Sequence, residues 1–209
     1  MTRGPFLSLD GIDGTGKSTQ CRLLAEWLRR RGLDVVQCAD PGGTAVGDAL
    51  RDMLLHHRGE LTPACEAFLF MASRAQLVAE KIRPALDSGR AVVCDRFLLA
   101  NVAYQGYGGG LDVGQLWDMG RLSAAGLEPD LTIVLDLRPQ AALERRNRAP
   151  DRMEKRSPEF YQRVREGFLA EAWRRPERIC VIDAGSTVEV VHGLICKEVE
   201  RVLGAGSRT

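Results

Sequence analysis

Several absences narrow this chain before any motif is read. Its six cysteines (Cys21, Cys38, Cys65, Cys94, Cys180, Cys196) form no C-x-x-C pair, and its three histidines stand at no metal-binding spacing, which excludes the usual zinc frameworks. Cys38, Cys94 and Cys180 fall in apolar runs that read as buried strands, where a thiol behaves as a small hydrophobe; reduced, structural cysteines fit a cytoplasmic protein. The first residues enter a strand-like run by Phe6, leaving no room for a signal peptide. No apolar stretch approaches the ~18–20 residues that cross a bilayer. Net charge is scarce too: Lys+Arg 29 against Asp+Glu 28 leaves +1 at pH 7, so no bulk positive field draws nucleic acid and any polyanion site must be local. Lysine is rare, with 4 against 25 arginines. That bias suits bidentate recognition of phosphate and carboxylate, and a GC-rich coding sequence would produce it as well.

What remains is ordinary globular material, 44% hydrophobic and 27% charged over 209 residues, which reads as one domain over residues 1–209. Short apolar runs alternate with helix-period segments, the pattern of a parallel sheet with crossover helices. Strands are predicted at Phe6–Asp10, Asp34–Ala39, Ala91–Asp95, Leu131–Leu137 and Ile179–Asp183, with an apolar density that implies burial on both faces. Helices are predicted at Lys17–Arg31, Ala45–His57, Pro63–Ser88, Val113–Ala125, Pro139–Arg148, Pro158–Arg174 and Val188–Leu203. Gln105–Gly110 reads as a glycine-rich loop. Arg145–Arg156 packs six basic residues against two acidic ones, either a solvated helix face or a local anion site.

Gly11-Ile12-Asp13-Gly14-Thr15-Gly16-Lys17-Ser18-Thr19 follows the first strand and matches G-x-x-x-x-G-K-[ST] at every fixed position. The physical content is a loop whose backbone N–H groups turn inward around phosphates, at the positive end of a new helix. Lys17 would reach the β- and γ-phosphates and the Ser18 hydroxyl would bind Mg²⁺. The expected fold is therefore α/β, of the P-loop NTPase kind: a five-stranded parallel sheet flanked by helices on both faces. No guanine-reading N/T-K-x-D motif occurs, which disfavours GTPases. Asp95-Arg96 ends the third strand, either a carboxylate for the metal beside a guanidinium for an acceptor phosphate, or a local salt bridge.

Taken together, Gly11–Thr19, Asp40-Pro41-Gly42-Gly43-Thr44, Leu50-Arg51, Phe70–Gln76, Asp95-Arg96, Ala103-Tyr104-Gln105-Gly106, Pro129–Thr132 and Asp151-Arg152-Met153-Glu154 resemble the thymidylate (dTMP) kinases within the nucleoside monophosphate kinase group. The resemblance runs from about Phe6 to Ala184. It implies ATP as phosphoryl donor, Mg²⁺ held through Ser18 and Asp95, dTMP as acceptor and a homodimer, with no nucleic acid or membrane partner. It also implies that Phe70 stacks on the base, that Arg74 donates to a base oxygen and that Gln105 approaches the pyrimidine edge. Tyr104 would exclude a ribose 2′-hydroxyl, Arg96 and Arg51 would grip the acceptor phosphate, and Asp13 would accept from the 3′-hydroxyl or help place the metal and Arg96. Taken from the residues alone, Phe70 could equally be a core position and Tyr104 a structural ring.

Some family members carry an arginine in the P-loop just after the acidic residue; here that position is Gly14. The chain thus resembles the type that supplies its transition-state cation from a small lid, here about 145–156. Lys17, Asp95, Arg96, Arg148 and Arg152 are the catalytic candidates, with Arg145 or Arg146 along the adenine. Ala39-Asp40 stands where the family often has Arg-Glu, Phe97 follows Asp95-Arg96, and Ala100 replaces a hydroxyl residue. These departures touch the acceptor pocket, so rival readings are a kinase for another pyrimidine monophosphate and a catalytically weak P-loop nucleotide-binding protein.

Overall fold

A computed structural model describes residues 3–145, 152–153 and 156–206. Five parallel strands, β1 (Phe6–Asp10), β2 (Val35–Ala39), β3 (Ala91–Asp95), β4 (Leu131–Asp136) and β5 (Ile179–Asp183), form one sheet in the order β2-β3-β1-β4-β5. β1 is central and wholly buried, with Leu7 opposite Val93 on one side and Leu131 on the other. Each strand found matches one predicted, to within a residue at either end. Burial on both faces holds for β1 and β3 but not for the edges: Cys38 on β2 and Cys180 on β5 are half-exposed, whereas Cys94 on β3 is buried. An edge strand has a neighbour on one side only, so its flanks reach solvent.

Helices α1 (Lys17–Arg30) and α9 (Val188–Gly206) pack together beside the sheet. α2 (Ala45–His56) lies against α3 (Pro63–Leu77), which also meets α6 (Val113–Ser123). α8 (Pro158–Arg174) covers β4 and β5, and Arg165 forks onto Asp136 with two bonds of 2.7 Å. α2, α3, α6 and α8 begin with Thr44, Thr62, Asp112 and Ser157, whose side chains accept from the first-turn amides, the expected N-cap chemistry. No helix among the described residues is long and apolar enough to cross a membrane.

Two predicted segments differ. The helix expected over Pro63–Ser88 is interrupted: α3 passes through a π-helical turn at Val78–Ile82 into α4 (Arg83–Asp87). Arg83 N–H reaches back five residues to Val78 O, one residue before Pro84, which has no N–H to give and whose ring crowds an α-helical carbonyl. The second difference matters more for function. Gln105–Gly110 is mostly helix, not loop: α5 (Leu98–Asn101) widens into a π-helical turn over Val102–Gly108. Gly110 alone in that run has a left-handed φ, 81°, and it ends the helix, with Leu111 N–H bonded to Gln105 O. Gly106 and Gly108 serve packing. A Cβ on Gly106 would lie 3.1 Å from Leu116, and one on Gly108 would lie 2.7 Å from Phe160 and Val164.

α8 clamps this turn. Glu171, buried, accepts from Tyr107 Oη at 2.8 Å and Trp117 Nε1 at 3.0 Å, and Arg163 donates to Gly108 O at 3.0 Å. The helix expected over Pro139–Arg148 is α7 (Pro139–Glu144) as far as the described residues go. Gly108→Ala should therefore lower unfolding free energy by ~1–3 kcal/mol, the usual penalty for overpacking, read as a shift in urea midpoint. A surface loop would tolerate the same change.

Candidate active site

The carboxyl ends of the central strands gather the predicted chemistry, as open parallel sheets do. β1 runs into the loop 11–16, which enters α1 through Gly16 at φ 92° with no side-chain cap. The other long capped helices satisfy their first amides internally. α1 has neither a side-chain cap nor an acidic residue in its first turn, so its positive end is left for an anion. Lys17 is buried and folds its Nζ onto Ile12 O at 2.7 Å; burial, assisted by the nearby charge of Arg96, lowers its pKa to about 8. Thr15 Oγ1 bonds the same carbonyl.

Gly14 has a structural reason of its own. At φ 90°, its Cβ would stand 2.1 Å from the Ala142 carbonyl of α7. An arginine cannot occupy that position with this backbone.

Ser18, exposed at the start of α1, donates from Oγ to Asp95 Oδ2 at 2.5 Å. Arg96, next along, adopts φ 69° and reaches back across the sheet edge. Its guanidinium donates to Gly11 O at 2.9 Å and Asp13 Oδ1 at 2.6 Å, while Tyr104 Oη donates to Asp13 Oδ2 at 2.9 Å. Burial pushes the Tyr104 phenol well up, so it stays a donor. The alternative of a local salt bridge for Asp95-Arg96 is not the arrangement found: Arg96 pairs with Asp13 of the P-loop.

Beyond Arg96 lies a cleft of about 110 Å³. Its wall brings together the residues read as acceptor contacts, namely Asp13, Arg51, Phe70, Arg74, Arg96, Tyr104 and Gln105. Phe70 is half-buried there. Arg51 donates to Pro41 O at 2.7 Å. Arg74 is 1% exposed and pairs with Asp40 at 2.7 Å, so Asp40 takes a structural part at the position where the resemblance departs. Three residues outside every motif also belong to this region: Asn101 in the cleft wall, Glu66 against Gln105 and Asp10 at the end of β1. Glu66 had a legible signal: with Phe70 and Arg74 it forms an i, i+4, i+8 stripe on α3, one helix face. Asn101 and Gln105 are likewise four apart, but the loop reading hid their shared face.

The lid candidates separate. Arg148 and Arg146 lie outside the described residues. Arg145 donates to Ala184 O at 2.8 Å, at the end of β5. Arg152 was expected against the transferring phosphoryl group; its guanidinium is instead engaged by Leu54 O at 2.8 Å and Glu66 Oε1 at 2.7 Å, with Arg156 on the same oxygen at 2.6 Å. Met153 beside it lines the cleft.

Asp10, which closes β1, is fully buried with Oδ1 unpartnered. Burial raises its pKa to about 7 against the pull of Arg96 and Lys17. Between about pH 4 and 7 the folded state thus holds a proton that the unfolded chain has released, and stability falls as pH rises, by up to ~1.4 kcal/mol per pH unit. Asp10→Asn should gain on the parent protein across that window. Urea midpoints at about pH 5 and about pH 7 check the sign; an advantage independent of pH would rule out this titration.

With this geometry in hand, comparison with known proteins is specific. The sequence profile described as thymidylate kinase matches residues 9–195. A thymidylate kinase of Pelotomaculum thermopropionicum is 47% identical over 207 residues, spanning 97% of this chain and 96% of that protein. One of Gloeobacter violaceus is 48% identical over 188 residues, spanning 88% and 89%. Among solved structures, the crystal structure of thymidylate kinase from Ehrlichia chaffeensis superposes with a TM-score of 0.78 at 32% identity, over 94% of this chain and 99% of that one. From the strand that feeds the phosphate loop to the helix that packs against α1, the chain belongs to the thymidylate kinase family.

Proposed function

We propose that the protein transfers the γ-phosphoryl group of ATP to dTMP, giving ADP and dTDP. The observation that carries this reading is a junction: Arg96 ties the P-loop through Gly11 and Asp13 to the wall of a second, aromatic-lined cleft. A donor site and an acceptor site thus meet at one guanidinium. The names of the close relatives support dTMP as the acceptor.

In this reading the α1 amides and Lys17 hold the β- and γ-phosphates, with Lys17 leaving Ile12 O for the anion. Its lowered pKa rises again beside phosphate, so it works as a cation. Arg96 and Arg51 hold the acceptor phosphate, and Asp13 accepts from the sugar hydroxyl. An acceptor phosphate is already anionic, so positioning and charge neutralisation supply the rate and no general base is needed. The all-oxygen pair Ser18 and Asp95 fits Mg²⁺, which when bound neutralises phosphate charge. Phe70 offers the base a stacking face, worth ~1–3 kcal/mol per base; Arg74 and Gln105 offer polar contacts. Because Arg152 is held at the acceptor end, the transition-state charge falls to Arg148. One domain with a lid at 145–156, a homodimer and a cytoplasmic setting complete the proposal, on the strength of family resemblance.

A coupled ADP-release assay over a panel of monophosphates tests it, with dTMP expected far ahead of CMP. Equal rates on the two would favour a less selective pyrimidine nucleotide kinase, and no turnover on any would favour a binding protein. Lys17→Ala should lose at least ~10²-fold in kcat with its fold intact by circular dichroism. Arg148→Ala should lose ~10³-fold or more in kcat with little change in equilibrium Kd for ATP or dTMP, whereas Arg152→Ala should act mainly on KM for dTMP; the reverse pattern would exchange their roles.

A further inference from the structure

Beneath the acceptor cleft a line of hydrogen bonds begins at a cation and ends at an anion. Arg74 donates through Nε to Asp40 at 2.7 Å and through its first η nitrogen to Asn101 Oδ1 at 3.2 Å. Asn101 Nδ2 donates to Gln105 Oε1 at 2.9 Å. Gln105 Nε2 in turn is directed at Glu66 Oε2, 3.5 Å away. Arg74, Asn101, Gln105 and Glu66 are each 3% exposed or less, so no link can be exchanged freely for water.

The two ends dictate the middle. A guanidinium only donates and an ionised carboxylate only accepts. Glu66 receives two guanidinium groups, Arg152 and Arg156, on its Oε1, and faces Gln105 with its other oxygen. Between Arg74 and Glu66 the two amides then have a single orientation that satisfies every bond. Turning either over would set carbonyl against carbonyl, or N–H against N–H, in a buried place where an unmade bond is costly. Each amide oxygen already accepts a bond within the line, so the unspent groups that Asn101 and Gln105 most readily offer a ligand are their remaining N–H donors. Arg74 has nothing else to offer. The part of the cleft wall formed by Arg74, Asn101 and Gln105 is therefore rich in donors, with the Asp40 carboxylate behind Arg74 as an acceptor.

We infer that Glu66 is a specificity-determining positioning residue, which fixes the Asn101–Gln105 relay and so makes the cleft select a pyrimidine with a carbonyl at C4 over one with an amino group there. Glu66 need not touch the nucleotide. A 4-oxo base meets the donor-rich wall with an acceptor; a 4-amino base meets it with a further donor, leaving buried groups unpaired on both sides. Substrates are rejected most strongly when they leave such groups unpaired. This inference rests on the pyrimidine-monophosphate reading above.

The test compares kcat/KM for dUMP and dCMP, which share sugar and phosphate, both lack the 5-methyl group and differ at the C4 end of the base. The parent protein should prefer dUMP. In Glu66→Gln the one amide oxygen is claimed by Arg152 and Arg156, so an N–H faces Gln105 Nε2 where the carboxylate accepted; the last link is lost, Gln105 is no longer fixed from that end, and the dUMP:dCMP preference should fall at least ~10-fold. Asn101→Leu cuts the relay while leaving Glu66 and its arginines in place, and should cause a similar fall. Glu66→Asp keeps an acceptor-only group and should retain more of the preference than Glu66→Gln does. A purely structural role for Glu66 would lower kcat and Tm with the ratio unmoved. An unchanged ratio in whichever of Glu66→Gln and Asn101→Leu folds overturns the inference, as does a parent protein without the preference. Failure of the parent protein to phosphorylate dTMP is a separate result and would count against the proposed reaction itself.

Discussion

The ligand edge of this protein depends on where Arg96 points. The residue follows the last residue of β3 and turns through a left-handed backbone conformation, φ 69°, which carries its side chain back over β1. There it holds Gly11 O and Asp13 and lies within 3.2 Å of Tyr104 Oη. Left-handed backbone costs a residue with a Cβ some free energy. It persists because both backbone ends are tied: Arg96 N–H donates to Leu9 O, and Cys94 Sγ donates to Arg96 O at 2.9 Å. One guanidinium thereby sets the spacing between the phosphate loop, the Asp95–Ser18 pair and the π-helical turn. In phosphoryl transfer, where positioning supplies much of the rate, such a fixed spacing is what the scaffold has to deliver.

Buried charge is the second theme. Arg74, Asp40 and Glu66 all lie at or near full burial, an arrangement that costs several kcal/mol per ion unless each is paired. Pairing comes from distant parts of the chain: Arg74 with Asp40 across 34 residues, Glu66 with Arg152 across 86. A preorganised polar site has to meet that desolvation cost in the folding step so that it need not reorganise when the substrate arrives. Asp10 departs from the pattern. Like Asp40 it keeps an unpartnered Oδ1, but among the described residues it has no ion-pair partner at contact distance, and burial raises its pKa against the more distant pull of Arg96 and Lys17.

The helical character of residues 98–108 shows where local reading stops. Glycines at 106, 108, 109 and 110 look like loop punctuation, and Gly110 does end the segment. Gly106 and Gly108 answer to a different demand, the close approach of α6 and α8, which becomes visible only when Leu116, Phe160 and Val164 are in place. The same packing turns Tyr104 and Gln105 inward, and so turns a supposed loop into the wall of the acceptor cleft. Arg152 is a similar case. Its place in a basic run is plain in the sequence, but its partners Glu66 and Leu54 O lie far back in the chain, and they draw it to the end of α2 and the start of α3.

By itself the sequence determined the alternation of strand and helix, the five strands to within a residue, and the glycine-rich loop that enters α1. These are local properties: periodicity, glycine spacing and a helix start are written in consecutive residues. Tertiary structure decided the rest. It set the order of the strands, the half-exposure of Cys38 and Cys180 at the sheet edges, the exclusion of any side chain at Gly14 by the Ala142 carbonyl, and the line of bonds from Arg74 to Glu66. Each of these depends on atoms that meet only after the chain has crossed the sheet, and no local pattern encodes which distant donor will face which acceptor.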